Sequence, residues 1–314
     1  MPNARQGSIH LFRLAGVDLF LHWSWFLVAI FEIERRRGRY TSIMWNVLEY
    51  LTLFSIVLLH EFGHALACRQ VGGTANQILL WPFGGVAYVN PPQRPGATLW
   101  SIAAGPLVNV ALLPLLLAAV MAGRSLGWAH TMHDAYFFLR AVLFINVSLL
   151  VFNLLPIYPL DGGQILRSLL WFVLGRARSL MAATVLGLLG ITAFVGLALW
   201  LHSFWLGAIS VFMLMNCWGG LRYAQALLRD EKVQRREGFA CPGCRTAPPV
   251  GAKWKCGHCG QPFDTFQTRA VCPGCGTQNA TTMCLHCKEQ HPMNDWIVAP
   301  YAGLGIVSGR FEAK

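Results

Sequence analysis

The apolar segments of this chain constrain its fold more than any other feature. One of them, from Leu99 to Met121, contains no charged residue over its 23 positions. An apolar stretch of 18 or more residues is long enough to cross a bilayer as a helix. Of the 314 residues, 55% are hydrophobic and only 12% are charged, whereas soluble domains carry about 25% charged residues. The sequence therefore predicts an α-helical polytopic membrane protein.

Six apolar segments are expected to span the membrane. They run from about Val17 to Ile33, Trp45 to Cys68, Leu99 to Met121, Tyr136 to Leu155, Leu180 to Leu201 and Phe204 to Leu227. Two β-prone runs around a Gly-Gly turn, between residues 74 and 90, predict a short membrane-associated β-hairpin. The net charge of +11 is better explained by topology and lipid contact than by nucleic acid.

The basic residues of the loops favour a topology with both termini in the cytosol, in the bacterial inner membrane. The cluster from Arg35 to Arg39 would lie on the opposite side and breaks this rule. Either the cluster is a tolerated exception, or the first segment is not a full crossing.

The sequence His-Glu-Phe-Gly-His at residues 60–64 lies near the end of the second apolar segment. On a helix, His60 and His64 lie one turn apart on one face, so both imidazoles can bind one Zn²⁺. Glu61 can then reach a metal-bound water as a general base. Ionisable residues inside a membrane segment are costly, which favours a functional role over a chance match.

A catalytic zinc site needs a third protein ligand. Asp161 is the best carboxylate available, because it follows the proline-broken end of the fourth segment on the same side of the membrane. Its alternative role is a helix N-cap. Asn153 could donate a hydrogen bond to an oxyanion or to substrate, or form an interhelical hydrogen bond instead. Asn109 and Asn146 are expected to form interhelical hydrogen bonds.

Eight of the ten cysteines form four Cys-x-x-Cys pairs after the last apolar segment. This regular spacing favours structural zinc over a redox function, in a reducing cytosol. Taken in chain order, the pairs predict two four-thiolate sites and hence a double zinc ribbon. The first site would contain Cys241, Cys244, Cys256 and Cys259, and the second Cys272, Cys275, Cys284 and Cys287.

The expected organisation is a membrane domain over 1–228, a linker over 229–240, the double zinc ribbon over 241–290 and a C-terminal tail over 291–314. The apolar stretch of the tail could pack on the ribbons or touch the membrane. The ribbons could bind a substrate's cytosolic part, a regulator or nucleic acid, and the sequence leaves these options open.

Several ordered motifs between about Val17 and Leu227 resemble those of the site-2 proteases, and particularly the bacterial branch that processes a sigma-factor precursor during sporulation. The motifs are Leu21 to Trp25, the HEFGH sequence, Phe83-Gly84-Gly85, Ala104 to Leu107 with Asn109, and Asn153 to Gly163. The resemblance implies an intramembrane zinc metalloendopeptidase in which His60, His64 and Asp161 bind zinc and Glu61 is the base. It also implies single-span membrane protein substrates, cut within or near the bilayer in regulated intramembrane proteolysis.

The alternative is a proteolytically silent membrane scaffold that recruits partners through its cytosolic ribbons, but a scaffold has no need of Glu61. A zinc transporter would need several acidic or His residues on facing helices, and the apolar segments offer little beyond one group. The expected zinc content is one catalytic and two structural ions.

Overall fold

The computed structural model describes residues 7–298 except residues 37, 82 and 83. The chain forms two compact units, Met1–Leu228 and Arg229–Lys314. The apolar stretch of the predicted tail falls mainly on residues 299–314, outside the described residues.

The first unit is mainly helical. Its helices are α1 (Ser24–Arg35), α2 (Ile43–Gln70), α3 (Pro95–Ser125), α4 (Trp128–Thr131), α5 (His133–Leu154), α6 (Asp161–Leu174), α7 (Arg176–Trp200) and α8 (Phe204–Glu231). Among the described residues, α2, α3, α5, α7 and α8 are long and apolar enough to cross a membrane. The predicted class, an α-helical polytopic membrane protein with a small β element, is confirmed.

The first predicted span is wrong in its N-terminal part. Residues Val17–His22 form a β-strand, and the helix that follows has only 12 residues. Such a helix is about 18 Å long, which is too short to cross a hydrocarbon core of about 30 Å. A mainly apolar run with scattered polar residues, such as Asp18 and His22, does not distinguish a buried strand from a helix, because it shows neither periodicity clearly.

A four-stranded sheet packs against the second half of α2. Its strands are β1 (Ser8–Leu14), β2 (Val17–His22), β3 (Thr74–Trp81) and β4 (Gly84–Asn90), in that spatial order. The predicted hairpin is present as β3 and β4, which pair antiparallel, whereas β2 runs parallel to β3. The predicted Gly-Gly turn is wrong, because Gly84 and Gly85 pair with β3 as the first residues of β4. Leu19 and Ile78 are fully buried against a cluster that includes Ala65 of α2. Arg69, near the end of α2, donates to the carbonyl groups of Ala15 and Gly16 in the β1–β2 turn.

Two glutamates pair with arginines of the cluster between α1 and α2. The Nε atom of Arg36 lies 3.0 Å from Glu32, and its Nη1 atom donates to Glu49. Arg39 lies 3.7 Å from the same Glu49 carboxylate, which is buried. These ion pairs offset part of the positive charge of the cluster.

The second unit consists of two small hairpins around an aromatic core. Its strands are β5 (Trp254–Lys255), β6 (Pro262–Phe263), β7 (Thr281–Met283) and β8 (Gln290–Pro292). Trp254 and Trp296 both contact the ring of Phe266 edge-on, at centroid distances of 5.2 and 5.0 Å. Asp264 is buried beside them and pairs with Arg236 at 2.5 Å.

Candidate functional site

Helix α2 carries three buried ionisable side chains on adjoining turns. His60, Glu61 and His64 are each at least nine-tenths buried, and the Nε2 atoms of the two histidines lie 3.1 Å apart. Gly105 on α3 provides the space for the imidazoles. A Cβ atom at this glycine would lie 2.3 Å from His64 Nε2 and 2.8 Å from His60 Nε2. The close approach of α3 to α2 therefore requires glycine at this position.

Asp161 is the first residue of α6, and its carboxylate faces the two histidines. The Oδ2 atom lies 3.0 Å from His60 Nε2 and 3.4 Å from His64 Nε2. The N-cap position of α6 is occupied by Leu160, so Asp161 does not have the alternative role of N-cap. The next residue, Gly162, allows α6 to fold back closely, because a Cβ atom there would lie 2.3 Å from the Leu154 carbonyl oxygen.

Oxygen acceptors on neighbouring residues fix the orientation of both imidazoles. His60 Nδ1 lies 2.7 Å from Asn109 Oδ1, and His64 Nδ1 lies 2.9 Å from the Ser101 carbonyl oxygen. Each oxygen accepts the Nδ1 proton, so the Nε2 lone pair of each ring is free to bind a metal. Asn109 also donates to Asn146 Oδ1 at 2.9 Å, which is the predicted interhelical bond. Its contact with His60 was not predicted, because no local sequence signal links these two positions.

The chemistry of these donors fits a zinc ion. Two imidazole nitrogens and one carboxylate oxygen converge with their lone pairs facing one another, at 3.0 to 3.4 Å. Like lone pairs at these distances repel unless a cation or proton lies between them. Two histidines and one carboxylate form a donor set used by catalytic zinc, with a fourth position left open.

Glu61 lies against β4, whose outer side is a free edge of the sheet. Its Oε2 atom accepts a hydrogen bond from the Ala87 backbone N–H at 2.9 Å. A Cβ atom at Gly85 would lie 2.3 Å from Glu61 Cγ, so β4 approaches the carboxylate closely. Because peptide groups alternate along a strand, Gly85, Ala87 and Val89 all direct their backbone groups away from β3.

Asn153 lies half-buried in the last turn of α5. Within the part of the chain that the structure describes, its side chain makes no hydrogen bond. Its suggested contact with an oxyanion or substrate stays a prediction.

The cysteines group differently from the chain-order prediction, which is wrong. The outer two pairs form one cluster and the inner two pairs form another, with Sγ–Sγ contacts of 3.6 to 3.7 Å. The outer cluster is Cys241, Cys244, Cys284 and Cys287, and the inner cluster is Cys256, Cys259, Cys272 and Cys275. The spacing of four pairs does not determine which pairs meet, as with disulfide connectivity.

Hydrogen bonds favour the thiolate form of one cysteine in each cluster. The Thr277 hydroxyl and backbone lower the pKa of Cys275 to about 5. Burial raises the pKa of Cys244, but hydrogen bonds from Thr246 outweigh this effect and lower it to about 6. In the inner cluster the Gln261 backbone N–H lowers the pKa of Cys259, but the neighbouring cysteine side chains outweigh it and raise the pKa to about 12. The convergence of four Sγ atoms in each cluster, rather than these pKa values, suits a structural zinc ion.

Comparisons with known proteins agree with this geometry. Residues 49–199 match Peptidase family M50. Zinc metalloprotease MJ0392 of Methanocaldococcus jannaschii is 34% identical over 183 residues, which are 57% of this chain and 50% of that protein. Stage IV sporulation protein FB of Bacillus subtilis is 37% identical over 120 residues, which are 37% of this chain and 38% of that protein. The chain thus matches half or less of the length of these two relatives.

Among solved structures, a site-2 protease from Methanocaldococcus jannaschii is 27% identical and has a TM-score of 0.49. The match covers 68% of this chain and 95% of that one. The family match lies within the first compact unit and includes His60, Glu61, His64 and Asp161. Within the first compact unit, residues 49–199 are thus similar to peptidase family M50, and the relative from Methanocaldococcus jannaschii that is 34% identical is named a zinc metalloprotease.

Proposed function

We propose that this protein is an intramembrane zinc metalloendopeptidase. The observation that carries the proposal is the convergence of His60 Nε2, His64 Nε2 and Asp161 Oδ2 beside the buried carboxylate of Glu61. In this proposal the two histidines and Asp161 bind zinc, and Glu61 is the catalytic base. The name of the relative from Methanocaldococcus jannaschii, a zinc metalloprotease, supports the same reaction class.

Zinc, when bound, would supply the Lewis acidity that acidifies water and polarises the scissile carbonyl. The residues of the chain provide the proton transfers and the orientation. Glu61 accepts a proton from the attacking water and delivers it to the leaving amine, so the base is restored after each peptide bond is cut. The Ala87 N–H holds one carboxylate oxygen of Glu61 at 2.9 Å, which leaves its other oxygen for the water.

The proposed substrates are single-span membrane proteins that the enzyme cuts within or near the bilayer, releasing a regulator into the cytosol. A helical substrate hides its peptide bonds, so the cut segment must unwind. We propose that the extended segment pairs with the free edge of β4, next to Glu61, by β-augmentation.

Proline substitution at the free edge tests this mode of docking. Val89→Pro removes the backbone N–H of Val89, which faces the free edge, and leaves the hydrogen bonds between β4 and β3 in place. Val89→Ala keeps this N–H and only shortens the side chain. We expect cleavage to fall at least tenfold in the proline variant only. Equal cleavage by both variants and the wild type would rule the docking mode out.

The first test of the function compares the wild-type protein with Glu61→Gln in zinc content and in cleavage of a panel of single-span membrane proteins in liposomes. We expect three zinc ions per chain in both, one from the membrane site and two from the ribbons, with cleavage lost only in the variant. Glu237→Gln, at an exposed position, is the matched control. Two zinc ions per chain, or cleavage by Glu61→Gln, would contradict the proposal.

The same proposal places both termini in the cytosol, where the ribbon thiols stay reduced. Labelling of the ribbon cysteines with a thiol-reactive probe, in sealed, oriented vesicles after zinc removal, tests this orientation. The partner of the ribbons stays a prediction.

A further inference from the structure

The arginines of α6, α7 and α8 have no acidic partner among the residues that the structure describes. There are five of them, at Arg167, Arg176, Arg178, Arg222 and Arg229. No Asp or Glu occurs in the sequence between Asp161 and Asp230. None of the ion pairs found in the described ranges includes any of these five arginines.

Two of the five arginines interact electrostatically and are partly enclosed. Arg167 on α6 and Arg176 at the start of α7 are half-buried and lie within electrostatic reach of each other. The Nε atom of each is buried and has no acceptor among the described residues. Two neighbouring cations with buried, unpaired donors are unfavourable unless an anion joins them.

The other groups around this pair are aromatic rather than acidic. Arg176 Nη2 donates to the Tyr223 hydroxyl of α8 at 3.0 Å. The Arg167 guanidinium lies 5.8 Å from the centroid of the Trp171 ring. Hydroxyl groups can turn to donate to an anion, so these neighbours can complete an anion site without neutralising it.

The site is connected to the loop that precedes Asp161. Tyr158 in this loop lies within electrostatic reach of Arg167. Its ring packs on Gly220 of α8, where a Cβ atom would lie 2.6 Å from Tyr158 Cε1. The two guanidinium groups therefore lie where α6, α7, α8 and this loop meet.

The chemistry of the site suits an oxyanion, and its place at the start of a candidate membrane helix favours a phosphate group. Guanidinium groups offer several N–H donors in a planar fork that matches phosphate oxygens. Arg176 is the first residue of α7, a helix long and apolar enough to cross a membrane, and the end of such a helix is expected near the lipid headgroups. We propose that Arg167 and Arg176, together with Tyr223, bind a phosphate group. An anionic phospholipid or a free phosphate can supply this group.

The test measures lipid binding to the full-length, zinc-loaded protein by native mass spectrometry. Phosphatidylglycerol and phosphatidylcholine are added in turn to the detergent-solubilised protein, with and without inorganic phosphate. We expect the double variant R167Q/R176Q to bind phosphatidylglycerol at least tenfold more weakly than the wild type does. R178Q/R222Q is the matched control, because it removes two exposed positive charges from α7 and α8 and should keep wild-type binding.

The additional arms identify the source of the phosphate. If inorganic phosphate displaces phosphatidylglycerol and stabilises the wild type but not R167Q/R176Q, the site accepts free phosphate. If only phosphatidylglycerol binds selectively, the lipid headgroup is the ligand. Equal binding by R167Q/R176Q and the wild type, or equal losses in both double variants, would overturn the proposal.

Zinc content and size-exclusion elution show whether each variant is folded. Should the glutamine variant fail to fold, R167K/R176K replaces it, since lysine keeps the charge but loses the planar fork. We expect this lysine variant to bind phosphatidylglycerol with an intermediate affinity, and wild-type affinity would overturn the proposed guanidinium site.

Discussion

The Nδ1 atom of His60 lies 2.7 Å from the side-chain oxygen of Asn109, so a residue of α3 sets the orientation of a candidate metal ligand on α2. Asn146 on α5 holds the same asparagine through two hydrogen bonds of 2.9 and 3.0 Å. Three helices therefore fix a single imidazole ring, and this rigidity suits a site that must hold an ion in one geometry.

Replacing Asn109 by alanine should weaken zinc binding at the membrane site. The Nδ1 proton of His60 would lose its acceptor, and such changes typically cost 10- to 100-fold in metal affinity. Competition with a graded chelator, followed by metal analysis, measures this loss. Asn216→Ala, at an exposed position on α8, should leave the affinity unchanged. Unaltered affinity in Asn109→Ala would show that the contact does not support the site.

A methyl group at Gly105 should abolish the metal site. The added Cβ atom would overlap the His64 imidazole at 2.3 Å, and the helix backbone that carries it cannot move away without repacking. Gly196→Ala on α7 meets no atom within 4 Å and should be tolerated, with a gain of up to about 1 kcal/mol in helix stability. Two zinc ions per chain are expected in Gly105→Ala and three in Gly196→Ala. Three ions in both variants would contradict the tight approach.

Double cysteine variants distinguish the two possible groupings of the ribbon thiols. C244S/C284S changes two members of the outer cluster only, so one ribbon zinc ion should be lost. C244S/C256S changes one member of each cluster and should lose both. Chain-order grouping gives the opposite result for each pair. Counting bound zinc in the full-length protein decides between the groupings.

The Asp264 carboxylate should stabilise the second unit in a pH-dependent way. Burial raises the pKa of this group, but the Arg236 guanidinium and the N–H groups of Gly251 and Gln267 outweigh burial and hold the pKa below its usual value. Since the folded state binds the proton less readily, the stabilisation is fully present above about pH 3.9, the unfolded value, and is lost as the pH falls further.

At pH 6, Asp264→Asn should lower the local stability by about 3 kcal/mol, because a buried ion pair loses one charge. Hydrogen exchange in peptides that cover residues 250–270 measures this difference. The gap to the wild type should shrink below pH 4. Asp230→Asn, with its exposed carboxylate, should show little change, and a gap that grows in acid would contradict the assigned pKa direction.

The sequence predicted the parts of the fold that depend on local patterns. The long apolar segments, the histidine pair and the proline-broken approach to Asp161 are all written in neighbouring residues. The strand Val17–His22 was missed because its apolar residues continue into α1 without a break in composition. The sequence nevertheless contained a signal for a turn, because Gly16 stands between two β-prone runs. In the structure this glycine adopts a positive φ of 75°, which glycine tolerates best.

Contacts between distant segments could not be predicted in the same way. Asn109 and His60 are 49 positions apart, and the cysteine pairs of the outer cluster are separated by about 40. Nothing in the spacing of such residues determines which of several partners they meet. The contact between His60 and Asn109 depends on the packing of α3 on α2, which Gly105 permits. The grouping of the outer cysteine pairs goes with the grouping of the inner pairs in a cluster of their own.

The bond between Glu61 and Ala87 makes two events at the sheet edge mutually exclusive. One backbone N–H serves one strong acceptor, and Ala87 already donates to the Glu61 carboxylate. An incoming strand that pairs in full register with β4 must therefore displace Glu61 from this donor, whereas a strand that skips Ala87 leaves the carboxylate where it is. A strand that pairs in full register would therefore release the Glu61 carboxylate from the Ala87 N–H. Binding at the sheet edge and the mobility of the proposed base would then be coupled.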